Sequence, residues 1–274
     1  MKIGSTDIVN CKIGSTQVNE IRIGSTLVWQ FSSVDPDAQA FITAAGITNP
    51  TQQTAINTLV IGLKADGLWT KMKAIYPFVG GDATSHKWNL KSPLDTNAAF
   101  RLVFNGGWTH SANGATPNGT NAWANTFFKN GINFTSKDNA HYSFYSRTNL
   151  ASDGIEIGAN DIPSNQGLYT RSAGGNALFL LNGGAYPNVA TANSLGFYQA
   201  NRNSLNSLSG WKNGVKLNQI ASTSTTGNVN IAISAYNLND ITLQYYSSKQ
   251  VAFASLGDGL SDTESTNLYT AVQA

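Results

Sequence analysis

Ala177-Leu178-Phe179-Leu180-Leu181-Asn182-Gly183-Gly184 contains the decisive pattern of this chain. Five apolar residues form a short run, and Asn-Gly-Gly then turns the chain with residues that tolerate positive φ. A run this short, closed by a turn, reads as a strand. The unit recurs on both sides. Upstream lie Phe100 to Phe104, followed by Asn105-Gly106-Gly107, and the run Tyr142-Ser143-Phe144-Tyr145-Ser146. Downstream lie Leu195 to Gln199, the turn Asn213-Gly214, Val229 to Ser234 and Val251 to Ser255. Many short strands at this spacing predict a mainly β chain, an antiparallel β-sandwich or jelly roll over residues 99–274.

Outward from the sandwich, residues 32–98 carry helical signals. Asp35-Pro36 opens a stripe of Ala38, Phe41, Ile42 and Ala45, which Gly46 ends. Asn49-Pro50 opens a second stripe of Ile56, Leu59, Val60 and Leu63. Leu68, Trp69, Met72 and Ile75 suggest a third short helix, completing a helical linker region. At the other end, Ser261 and Glu264 fit a capping box for a terminal helix in which Leu268 and Val272 pack at i and i+4.

The first 31 residues repeat one decapeptide three times: Lys2-Ile3-Gly4-Ser5-Thr6, Lys12-Ile13-Gly14-Ser15-Thr16 and Arg22-Ile23-Gly24-Ser25-Thr26. Each copy reads as strand, turn and strand, and the periodicity marks a stacked β element. Three such copies cannot bury a core alone. Residues 1–31 are therefore expected to be an anchor and oligomerisation element. Partner chains would cover Ile3, Ile13, Ile23, Val18 and Val28, with a homotrimer as the expected assembly.

Composition narrows the function classes. Only 12% of the 274 residues are charged and the formal net charge is +2, so nucleic acid is not an expected partner. Cys11, the single cysteine, occupies the repeat position of Ile21 and Phe31 and reads as a small buried group. No charged stretch leads into an apolar one at the N-terminus, and no apolar run reaches the ~20 residues of a membrane span. Neither a secretory signal nor membrane insertion is expected.

Catalytic patterns are sparse. The three glutamates are Glu20, Glu156 and Glu264, and Asp153 and Glu156 would face opposite sides of a straight strand. His86, His110 and His141 lack metal-spaced partners, and no Gly-x-Ser-x-Gly elbow occurs. No enzyme activity, cofactor or metal is expected.

Three segments carry a resemblance. Trp108-Thr-His-Ser-Ala-Asn-Gly-Ala-Thr-Pro-Asn-Gly-Thr-Asn-Ala-Trp-Ala-Asn125 resembles the opening strands of a laminin-G or concanavalin-like lectin domain. Ser209-Gly-Trp-Lys-Asn-Gly-Val215 is similar to that family's late hairpin, and Ala252 to Glu264 to its last strand and following helix start. The decapeptides and Tyr76-Pro-Phe-Val-Gly-Gly81 resemble those of tailed-bacteriophage structural proteins, which carry lectin-like domains on fibres, tails or capsids. The resemblance implies two antiparallel sheets packed face to face, with sugars bound at loops on the rim in some members, often beside calcium. This chain departs from the calcium pattern, since Asp153, Asp161 and Asp240 are scattered singly.

The expectation is a virion structural protein (fibre, spike or capsid decoration) that displays a lectin-like domain for glycan or cell-surface adhesion. It would be assembled in the host cytoplasm and released by lysis. Its partners would be other virion proteins and host or environmental glycans. One alternative is a structural protein that joins neighbouring subunits, and a weaker one is a glycan-cleaving enzyme. A pyranose has one apolar face and many hydroxyls, so its site needs flat aromatic rings beside polar side chains. Trp88 and Trp211 are such rings in or beside polar turns, but the glycan-binding candidates are Trp108, Trp123 and Tyr186.

Overall fold

The computed structural model describes residues 34–162 and 164–274. Within the first 33 residues it describes residues 2–3, 6–7, 12–13, 16–17, 20–23 and 25–30. The chain forms two compact units, Met1–Pro36 and Asp37–Ala274.

In the first unit each decapeptide folds back on itself. Lys2–Ile3 pairs with Thr6–Asp7, Lys12–Ile13 with Thr16–Gln17, and Glu20–Ile23 with Thr26–Gln30. Each pair is a separate two-stranded sheet. Such hairpins are marginal in water by themselves. Ile23 is 72% exposed. Val18 and the side chains of Ile3, Ile13 and Val28 lie outside the described residues.

The second unit is the sandwich. Its first sheet runs Val215–Ala221, Ser207–Lys212, Gly196–Arg202, Ala140–Ser146, Val251–Gly257, Gly114–Pro117, Trp108–Ser111. The second runs Asn188–Ala190, Asn176–Leu180, Ser164–Tyr169, Ile157–Asp161, Asn230–Ile233, Trp123–Lys129, Val103–Asn105. Pairing is antiparallel apart from Tyr236–Leu238, which joins Ile157–Asp161 in parallel and forms a hairpin with Thr242–Gln244. Alternating residues from both sheets interleave in one core: Tyr142, Phe144, Tyr198 and Leu256 meet Phe128, Ile157, Leu168 and Phe179.

A helical layer covers the other face of the first sheet. Pro36–Ala44, Pro50–Ala65 and Asp262–Gln273 bury Phe41, Val60, Leu63 and Leu268 against Ile75, Phe197 and Phe253 of the sheet. Asn49 accepts hydrogen bonds from the amides of Thr51 and Gln52 at the start of the second helix. Ser261 and Glu264 close the capping box of the terminal one. Polar residues under the terminal helix are paired: Gln199 Nε2 donates to Ser265 Oγ (3.0 Å), and Asn201 Nδ2 donates to the Leu260 carbonyl (2.7 Å).

The third helix expected around residues 68–75 is instead the strand Met72–Tyr76, paired with Val251–Gly257. Met72 and Ile75 face the helical layer while Ala74 and Tyr76 face the sandwich core. With both sides covered, four of its five residues are apolar, Lys73 being the exception, and their spacing mimics a helical stripe.

Candidate functional site

The outer face of the second sheet carries a cluster of tyrosines. Ile157 and Ala159 point into the core, so Gly158 and Asn160 open on the opposite face. Asn165 lies across from Asn160 and shares that face, and Tyr169 follows at the next but one outward position. Gly158 is bare where the Tyr236 ring crosses the sheet, since a Cβ there would lie 2.8 Å from Tyr236 Cδ2. The Tyr236 hydroxyl donates to Asn165 Oδ1 at 2.5 Å. The Tyr245 ring meets Tyr236 edge to face, with centroids 6.1 Å apart, and is 52% exposed. Burial pushes the Tyr236 phenol up to about 12, and neighbouring Tyr245 acts in the same direction. Burial also raises the Tyr169 phenol, helped by Tyr236, Tyr245, Asp153 and Glu156.

The segment that carries Tyr245 is tied to the sheet by a buried ion pair four residues on, at Lys249. The segment after Thr242–Gln244 crosses the outer face of the sheet, and Ile155 bridges Tyr246. Under this segment Lys249 Nζ donates to Glu156 Oε1 at 3.0 Å, with both side chains fully buried. Ser247 Oγ donates to the same oxygen, the Thr170 amide to Glu156 Oε2, and Lys249 also donates to the Arg171 carbonyl. Every charge is met, which makes the pair a clamp. Tyr245 itself sits at φ +52, a left-handed conformation uncommon for a bulky side chain, with the Ile155 amide donating to its carbonyl.

Two of the aromatic candidates read from sequence come together. Trp108 Nε1 donates to the Asn105 carbonyl (3.0 Å) and more weakly to that of Trp123 (3.4 Å). Its ring packs on Phe104 and stacks on His110, so Trp108 is a half-buried wedge between the two sheets. Trp123 points outward, because Ala124 beside it faces the core, and is half-buried. It shares the outer face with the tyrosines, two strand spacings, or ~10 Å, from the strand beneath Tyr236 and three from the strand that carries Tyr169. Tyr186 sits apart. Its loop follows Asn176–Leu180 at the opposite end of the sandwich, where Ser222 Oγ donates to the Ala185 carbonyl. Trp88 carries Lys87 over its ring, and Trp211 is buried with its indole N–H on Ser209 Oγ.

The asparagines beside the tryptophans serve the backbone. Asn118 Oδ1 accepts from the amides of Thr120, Asn121 and Ala122, and Asn121 Oδ1 accepts from Gly107. The carboxylates are likewise engaged: Glu156 in the clamp and Glu264 with its own helix start and Lys71. Among the described residues no group of three or more His, Cys, Asp or Glu is placed to hold a metal. No helix among them is long and apolar enough to cross a membrane.

Tyr169, Tyr236 and Tyr245 were not singled out by sequence reasoning. Alternation through Asn165, Gly167 and Tyr169 carries a local signal for one face. Nothing local marks Tyr245, whose segment is tied to the distant residues Ile155 and Glu156.

No family model matches the chain, and no curated protein sequence matches it. Among solved structures it is similar to domain 4 of the extracellular arabinanase AbnA from Geobacillus stearothermophilus, solved with arabinotriose. That match has a TM-score of 0.48 at 13% identity and covers 73% of this chain and 98% of that one. It is also similar to Trypanosoma rangeli sialidase solved with sialic acid, with a TM-score of 0.49 at 12% identity, covering 72% of this chain and 32% of that one. The binding domain of botulinum neurotoxin serotype D matches with a TM-score of 0.44 at 13% identity, over 74% and 51% of the two chains. The chain thus spans about half the length of the toxin binding domain.

Proposed function

We propose that this chain is a glycan-adhesion protein of a tailed-phage particle, with the sandwich as the lectin-like module and residues 1–31 as the anchor. The observation that carries the adhesion reading is the platform of Tyr169, Tyr236 and Tyr245 beside Asn165, fixed by a buried ion pair. It offers ring faces for the apolar side of a sugar and phenol and amide groups for its hydroxyls. The anchor reading rests on the decapeptide resemblance and on three hairpins that each remain a lone two-stranded sheet. Partner copies, most simply two, would complete them.

The test is a glycan array probed with the full chain and with Tyr245→Ala and Tyr169→Ala. Binding to one glycan class, lost by tenfold or more in both variants at unchanged melting temperature, supports the reading. Unaltered binding in both folded variants overturns it.

A second reading, a joint between virion subunits, is favoured by Ile132, Ile162 and Ile241, exposed by 63%, 83% and 84%. Ile132 lies in the short helix Asn130–Asn133 and Ile162 and Ile241 in turns, all at one end of the second sheet. The Asn239 amide donates to the Asn160 carbonyl, and the Gly131 amide to the Gly227 carbonyl, bracing these segments together. Particles that adhere normally without the protein but fall apart on mild heating would favour this joint.

A further inference from the structure

The helices Pro50–Ala65 and Asp262–Gln273 pack closely where Gly62 faces Ala271; a Cβ on Gly62 would lie 3.7 Å from that of Ala271. Beside this contact a groove of about 310 Å³ opens over the first sheet. Ile56, Leu59, Val79, Phe253 and Val272 give it an apolar wall. Arg147 stands at its edge, beside Tyr145. The strand Ala140–Ser146 ends one residue earlier, and the Arg147 amide donates to the Gln250 carbonyl, so the backbone at this position is fixed. The exposed guanidinium has no ion pair or hydrogen bond to any described residue.

We propose that this groove binds a small amphipathic carboxylate, with its aliphatic chain on the apolar wall and its carboxylate on Arg147. Three features favour this class. The volume falls at the lower end of the range for small-molecule sites, roughly 300–1,000 Å³. Most of the wall is aliphatic, with the Phe253 and Tyr145 rings, Gln273 and the last residue Ala274 completing it, so it suits a hydrocarbon chain better than a hydroxylated ring. A free guanidinium fork matches a planar carboxylate through two parallel hydrogen bonds. The site is separate from the tyrosine platform, which lies on the other sheet, and does not depend on the adhesion reading.

Calorimetric titration of the full chain with decanoate tests the site, with decanol as the uncharged control. Saturable binding of one decanoate per chain is expected, weakened tenfold or more by Arg147→Gln, with decanol binding unchanged by that substitution. Val79→Trp should fill the groove and remove both ligands. Ala55→Trp, at an exposed wall position, serves as a second block should the first variant lose its fold. Tyr245→Ala should leave decanoate binding intact. Decanoate binding that is absent, insensitive to Arg147→Gln, or retained in a folded blocking variant overturns the proposal.

Discussion

Tyr245 illustrates how one residue can trade local comfort for exposure. A tyrosine at φ +52 carries backbone strain of order 1–3 kcal/mol. Glycine adopts that conformation freely, so Tyr245→Gly should hold or raise the melting temperature while glycan retention falls by at least tenfold. A large fall in melting temperature instead would show that the ring is a packing element. His141 sets a different residue-scale expectation. It is fully buried between Asp258 and Ser255, donating from Nδ1 to the Asp258 carbonyl at 2.6 Å, and burial pushes its imidazole from 6.5 to about 4. The folded protein therefore keeps His141 neutral where the unfolded chain takes up a proton. Its contribution is complete above about 6.5 and is lost as pH falls toward 4, by about 3 kcal/mol in total. Urea unfolding at pH 7.5 and pH 4.5 should show this loss in the parent and a flatter response in His141→Gln.

The segment that carries Tyr245 is an element held by charge. Removing one partner of a buried, satisfied ion pair leaves the other charge unpaired and costs roughly 3–5 kcal/mol. Lys249→Met or Glu156→Leu alone should lower stability by about that much, and the double variant should recover most of the loss. Chemical denaturation of the four proteins measures the coupling, and simple additivity would mean that the pair is not the clamp described. The same element shows why sequence reasoning reached the sandwich and not the platform. Short apolar runs closed by Asn-Gly turns fix strands through local chemistry, and Ser261 with Glu264 fixes a helix start within four residues. Trp108 and Trp123 also announce themselves locally, as aromatic residues beside turns. The clamp joins residues 93 positions apart, so the face that it builds has no contiguous signature. The strand Met72–Tyr76 resembles a helix in sequence for a related reason: both its faces are covered, so the alternation that marks a half-buried strand is missing.

At the scale of the whole molecule, the two units make opposite demands on truncation. The strand Met72–Tyr76 fills an edge of Val251–Gly257, and the helical layer shields Phe197 and Phe253, whose burial contributes roughly 1.5–3 kcal/mol each. A fragment beginning at residue 99 would leave that edge unpaired and strip two of the three helices from the layer over Phe197 and Phe253, with only the terminal helix and its Tyr269 left on Phe197. A fragment of residues 37–274 keeps every one of these contacts. The longer fragment should therefore unfold cooperatively near the temperature of the full chain, while the shorter one should bind hydrophobic dye and aggregate. The hairpins of residues 1–31 make the complementary case, since two-stranded sheets of two to five residues gain stability when other strands cover their edges. Light scattering should find the full chain as an oligomer, with a trimer expected, and residues 37–274 as a monomer. A monomeric full chain at high concentration would remove the assembly role from the repeats, and an oligomeric 37–274 fragment would place the interface on the sandwich, with the exposed isoleucines as its first candidates.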